Sequence, residues 1–99
     1  MKVEVQSIHF DADQKLLDFI QSRLDRLDQK YDRIIDGTVF LRIDKASNNE
    51  NKIVEIRLNV PQGDLFAKKQ CKSFEEATDE AVEALRRQVK KHKEKVLGI

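Results

Sequence analysis

Residues 38–72 read TVFLRIDKASNNENKIVEIRLNVPQGDLFAKKQCK, and their alternation decides the fold. Over Thr38–Lys45, Val39, Leu41 and Ile43 point one way and Phe40, Arg42 and Asp44 the other. Ala46 to Lys52 is a polar turn segment with a single Ala. Ile53–Val60 alternates again, with Val54, Ile56, Leu58 and Val60 inward and Glu55, Arg57 and Asn59 outward. Pro61-Gln62-Gly63-Asp64 is a turn. In Leu65–Lys72, Leu65, Ala67 and Cys71 share one face and Phe66, Lys68 and Gln70 the other. Three runs of period two, joined by turns, predict an antiparallel meander.

Upstream, residues 2–8 alternate as well, with Val3 and Val5 on one face and Lys2, Glu4 and Gln6 on the other. Between that strand and the meander the period changes. Leu16, Ile20, Leu24, Leu27 and Tyr31 recur every three or four residues, which predicts a helix over 14–31 with Asp11 or Asp13 as its cap. Around that stripe Lys15, Arg23, Arg26 and Lys30 fall on one flank, and Asp18, Asp25, Asp28 and Asp32 on the other. Downstream, Ser73 and Glu76 form a capping-box pair that opens a second helix. Its stripe is Ala77 or Thr78, Ala81, Val82, Leu85, Val89 and Val96, and Gly98 is the expected stop.

The order β-α-β-β-β-α predicts an α+β fold with a four-stranded mixed sheet. A strand–helix–strand connection makes the first two strands parallel, with a right-handed crossover. Both apolar helix stripes need cover, and one sheet face is the surface that supplies it, so both helices belong on that face. The expectation is one domain over residues 1–99.

Charged residues make up 37% of the 99, well above the roughly 25% usual in globular domains. They are sorted by position. The second helix begins with Glu75, Glu76, Asp79, Glu80 and Glu83 and ends with Arg86, Arg87, Lys90, Lys91, Lys93 and Lys95 against the lone acid Glu94, although the whole chain is only +1. Compensation of the helix macrodipole accounts for a few charges at each end. It does not account for six cations in ten residues, nor for the basic flank of the first helix. A dense basic patch on a charge-balanced protein suits a phosphate backbone.

Other chemistry is thin. His9 and His92 have no ligand-spaced partners, so a metal site is not expected, and His92 reads as a helix-packing residue. Cys71, the one cysteine, reads as a buried structural thiol rather than a nucleophile, and it has no internal disulfide partner. The carboxylates lie among Lys and Arg on helix surfaces, with no glycine-rich phosphate loop and no nucleophile elbow. No enzymatic activity, cofactor or small-molecule substrate is therefore expected. Phe40 and Phe66, on the outward sheet face, are candidates for base stacking or for covering the open face. No apolar run approaches a membrane span, and MKVEVQSIHF has no signal-peptide core, so the reading is a cytoplasmic protein.

The element order, KYDRIIDGTVFLRIDK at 30–45 and SFEEATDEAVEALRRQVKKHKEKV at 73–96 resemble the ribosome hibernation-promoting factors. These are also called ribosome-associated translation inhibitors or sigma-54 modulation proteins. The most specific pieces are YDRI at 31–34 and RQVKKHKEK at 87–95. The resemblance implies a fold similar to a double-stranded-RNA-binding domain. It implies binding to small-subunit rRNA in the channel used by mRNA and tRNA, with translation blocked and idle ribosomes protected under stress. By motif it assigns rRNA binding to Arg23, Arg26 and Arg33, and to Arg87, Lys91, Lys93 and Lys95; Lys30, Arg86 and Lys90 extend the same basic faces. Long members add a second C-terminal domain, and some short members a tail, so a chain ending at Ile99 is expected to be a short, tail-less form. Dimerisation of ribosomes in short-form systems calls on a separate dimerising factor. Two other readings stay open at this level: a generic structured-RNA-binding module, and a protein-interaction module that modulates a transcription factor.

Overall fold

The computed structural model describes residues 1–45 and 49–97, with the side chains of Val96 and Leu97 excepted. The expected places of the Val96 side chain, of Gly98 and of residues 46–48 lie outside what is described. The elements follow the expected order: β1 Lys2–Ser7, α1 Gln14–Lys30, β2 Asp36–Ile43, β3 Lys52–Val60, β4 Gly63–Cys71 and α2 Phe74–Leu97. They form one mixed sheet, ordered β1-β2-β3-β4, in which β1 and β2 are parallel and the other neighbours antiparallel.

Register explains burial. One face carries the cross-strand rows Val3–Gly37–Leu58–Leu65 and Val5–Val39–Ile56–Ala67. Against it α1 brings Leu16, Ile20, Leu24 and Leu27, and α2 brings Phe74, Ala77, Ala81, Leu85 and Val89, all in one buried cluster. A full set of aliphatic side chains removed from water on three surfaces is the dominant favourable contribution to folding. Gly37 fits a tight spot in this layer, because a Cβ there would lie 2.9 Å from Leu58 Cδ2. The opposite face holds Gln6–Phe40–Glu55–Lys68 and Glu4–Thr38–Arg57–Phe66.

Two residues differ in burial from what their faces suggest. Ile43, expected inward, is 38% exposed because β2 ends there and no further strand residue covers it. Ile53 lies on the open face, in register between Arg42 and Gln70, yet is only 8% exposed.

Local chemistry sets the ends of the elements. The Asp13 carboxylate accepts from the backbone N–H of Leu16 at 2.8 Å, which settles which aspartate caps α1. Ser73 Oγ accepts from the N–H of Glu76 at 3.1 Å, the forward half of the expected capping box. The β3–β4 turn has Pro61 followed by Gln62 at φ 69°, the positive φ that the second central residue of a type II turn requires. At the outer edge of β4, the Gln88 side chain donates to the Phe66 carbonyl at 2.8 Å and accepts from the Phe66 N–H at 3.2 Å.

Candidate nucleic-acid interface

The two helices run parallel. Arg23 of α1 meets Asp79 near the start of α2, and Tyr31 just beyond α1 meets His92 near the end of α2. This orientation follows from the topology: a crossover helix antiparallel to β1, and a helix returning from β4, share one direction. Both C-termini therefore lie at one end of the molecule, where their dipoles favour cations. The same end carries Lys30, Arg33 and the run from Arg86 to Lys95.

Between the helices lies an open groove of about 350 Å³ lined by Arg23, Arg26, Leu27, Lys30, Asp79, Val82, Glu83 and Arg86. Four of the expected RNA-binding residues thus share one concave surface. Arg33 follows α1 and is exposed, and Arg87, Lys90, Lys91, Lys93 and Lys95 are exposed along α2. Helix geometry divides the α2 cations: Arg86, Lys90 and Lys93 lie toward α1, and Arg87, Lys91 and Lys95 toward the β4 edge.

The acidic start of α2 does not stand apart from the basic surface. Asp79 and Glu83 line the groove itself. The Arg23 guanidinium donates from Nε to Asp79 Oδ1 at 2.7 Å and lies 4.2 Å above the Phe19 ring. Arg86 donates to both oxygens of Glu83, at 2.8 and 2.7 Å. That hydrogen-bonded guanidinium, with Arg87 and Lys30 nearby, holds the Glu83 carboxyl below the usual carboxylate range. The other eight expected cations make no ion pair among the described residues. Arg86–Glu83 is an i,i+3 pair that spacing within α2 encodes, whereas Arg23–Asp79 depends on how closely the two helices approach.

His92 packs as expected, with its ring 6.2 Å from Tyr31 at 75°, edge to face. Cys71 is 4% exposed. Its thiol donates to Glu80 at 3.1 Å. Burial first, and Glu80 second, push its pKa up to about 12, so the reactive thiolate is suppressed. Cys71, Glu76 and Glu80 stand close enough to bring donors together. Only Cys71 of the three is buried, and its protonated thiol already spends its hydrogen bond on Glu80. Phe66 is 44% exposed on the open face, with Arg57 5.7 Å from its ring centre, and Phe40 is half-buried on the same face. No helix among the described residues is long and apolar enough to cross a membrane.

The model of the family described as sigma 54 modulation protein / S30EA ribosomal protein matches residues 3–97. The chain belongs to this family. Membership places it among the ribosome-associated hibernation proteins. A ribosome hibernation promoting factor of Pseudomonas putida is 30% identical over 95 residues, which cover 96% of this chain and 89% of that one. The ribosome hibernation promotion factor of Deinococcus radiodurans is 33% identical over 84 residues, 84% of this chain but only 44% of its own length. Among solved structures, a ribosomal subunit interface protein from Coxiella burnetii superposes with a TM-score of 0.83 at 20% identity, covering 94% of this chain and 98% of that one. The N-terminal domain of Thermus thermophilus Protein Y superposes with a TM-score of 0.79 at 22% identity, covering 93% and 99%. The β-α-β-β-β-α fold of the S30EA proteins is thus the fold of this chain.

Proposed function

We propose that this S30EA-family chain is a single ribosome-binding domain. It would dock on the small ribosomal subunit through rRNA phosphates and exclude mRNA and tRNA from their channel while translation is idle. The observation that carries this reading is the parallel pairing of the helices, which gathers basic residues of both at one end. Arg26, Lys30 and Arg33 from the α1 side, and Arg87, Lys90, Lys91, Lys93 and Lys95 from α2, would meet phosphates directly. Arg23 and Arg86 enter the interface as ion pairs. Exposed lysines and arginines without acidic partners are the groups that release counterions when they meet a polyphosphate backbone.

Such contacts position the protein and carry no base sequence. Selectivity would then come from the shape of the ribosomal channel. Inhibition would be steric, since α2 stiffens a body 44 × 23 × 18 Å in extent. Docking of this kind needs no bond-making step. A separate ribosome-dimerising factor would act beside this protein rather than through its basic end.

The test is co-sedimentation with separated ribosomal subunits across a salt series. Stoichiometric, salt-sensitive pelleting with the small subunit, competed by mRNA and tRNA, is expected. Charge reversal at Arg87, Lys91 and Lys93 to Glu should abolish it while leaving the far-UV circular dichroism unchanged. Pelleting that survives the reversal would show that another surface binds. Equal affinity for naked duplex RNA would favour a generic RNA module, and capture of a protein partner with little salt dependence would favour an interaction module.

A further inference from the structure

The groove between the helices holds a pattern of charge that simple phosphate docking does not require. Of its four cations, Arg23 and Arg86 are bonded to Asp79 and Glu83, whereas Arg26 and Lys30 are free of ion pairs among the described residues. Arg23 is held twice, by the carboxylate and by the Phe19 ring beneath it. The Asp79 and Glu83 side chains remain about half exposed, so both carboxylates face incoming solute.

We propose that Asp79 and Glu83 are selectivity residues that exclude phosphate from the centre of the groove and confine it to the rim at Arg26 and Lys30 and to the end of α2. The inference rests on the proposed docking to rRNA and deepens it. A phosphate placed over the Arg23–Asp79 or Arg86–Glu83 pair meets a carboxylate within a few ångströms, well inside the roughly 10 Å over which salt leaves charges unscreened. The ligand that fits is a folded polyanion whose phosphates straddle the groove. Its donor groups, such as ribose hydroxyls or base amino groups, can face the two carboxylates. An unrelated RNA duplex lies on the basic end in many orientations, and many of them bring phosphate over the acids. The acids remove those orientations and leave the fitted one. Selectivity of this kind is built from a repulsive element as well as an attractive one.

Removal of the acids should therefore affect the two ligand types unequally. Asp79→Asn with Glu83→Gln keeps size and leaves one acceptor oxygen on each side chain while removing two negative charges. Asp18→Asn with Asp25→Asn makes the same change of net charge on the opposite side of α1, where among the described residues those aspartates accept from Gln14 and Gln21 alone. Each variant and the wild type would be titrated against purified small subunits and against a short RNA duplex of unrelated sequence, at one fixed salt concentration. Unchanged circular dichroism and urea midpoints would confirm folding.

The groove variant is expected to bind the duplex on the order of tenfold more tightly, as new phosphate positions open. Its affinity for small subunits should stay within about threefold, and the opposite-face variant should move duplex affinity by less than about threefold. Equal gains from the two variants would reduce the effect to net charge and overturn the proposal. An equal gain on subunits and on duplex would also overturn it. If the wild type fails to bind subunits at all, the ribosome reading falls while the duplex measurements still decide whether the acids filter phosphate.

Discussion

The ring of His92 stands edge-on to that of Tyr31, with centroids 6.2 Å apart and planes at 75°. Tyr31 is the C-cap of α1 and is 4% exposed, while His92 sits one turn from the end of α2. The pair joins the two helices at the end where their cations gather. Beyond it α2 carries Lys93 and, in its last turn, Lys95. The basic end is thus an extension of the core rather than a free tail.

Tyr31→Ala removes that join. Loss of a buried ring leaves a cavity and costs about 3 kcal/mol, read as a lower urea midpoint. His92→Ala removes only the edge contact and costs about 1 kcal/mol. Amide exchange over 90–95 should quicken in both variants, while that of the β3 residues follows global stability alone. Slow exchange at 90–95 in Tyr31→Ala would show that α2 holds its end without the pair.

If the basic end docks on phosphates as proposed, the salt dependence of binding reports how many it meets. Each phosphate neutralised adds about 0.9 to the slope of log affinity against log salt for a duplex backbone. Lys91→Gln removes one exposed cation with no ion-pair partner among the described residues. It should lower the slope for small-subunit binding by about 1. An unchanged slope would place Lys91 outside the interface.

Cys71 links stability to pH at the alkaline end. The fold raises the thiol pKa from 9.0 to about 12, so the neutral form belongs to the folded state. Its contribution is fully present below pH 9 and is lost as pH rises toward 12. The difference in unfolding free energy between wild type and Cys71→Ala should therefore shrink from pH 8 to pH 10.5. Subtracting the variant cancels the lysine titrations common to both. In the native protein at pH 8, alkylation by iodoacetamide should be at least about a hundredfold slower than in urea. Comparable rates would mean that the thiol is open.

Most of the architecture could be read from period alone. Two-residue alternation found the strands and their faces, including Phe40 and Phe66 outward, and the three-to-four spacing of Leu16 through Tyr31 found α1. The misses share a cause: they depend on distances between elements. Ile43 lies at a strand end, and its exposure reflects where β2 stops. Ile53 is covered on a face that alternation marks as open, because it lies between Arg42 and Gln70 of the two neighbouring strands. At the basic end, the charge sorting within α2 was legible as a run of cations, all exposed on one helix. It could not reveal that Asp79 reaches across to Arg23, since no spacing within one helix encodes the approach of another.

The Gln88 amide has a consequence for the sheet as a whole. An outermost strand offers a row of unused donors and acceptors to any extended chain. At Phe66 both are taken by one side chain, which imitates the peptide group of an absent fifth strand. A passing strand would have to evict that amide before it could align with the middle of β4. The helix that carries the cations thereby also guards the middle of the β4 edge. One face of α2 carries the cations, and another covers a stretch of open sheet edge.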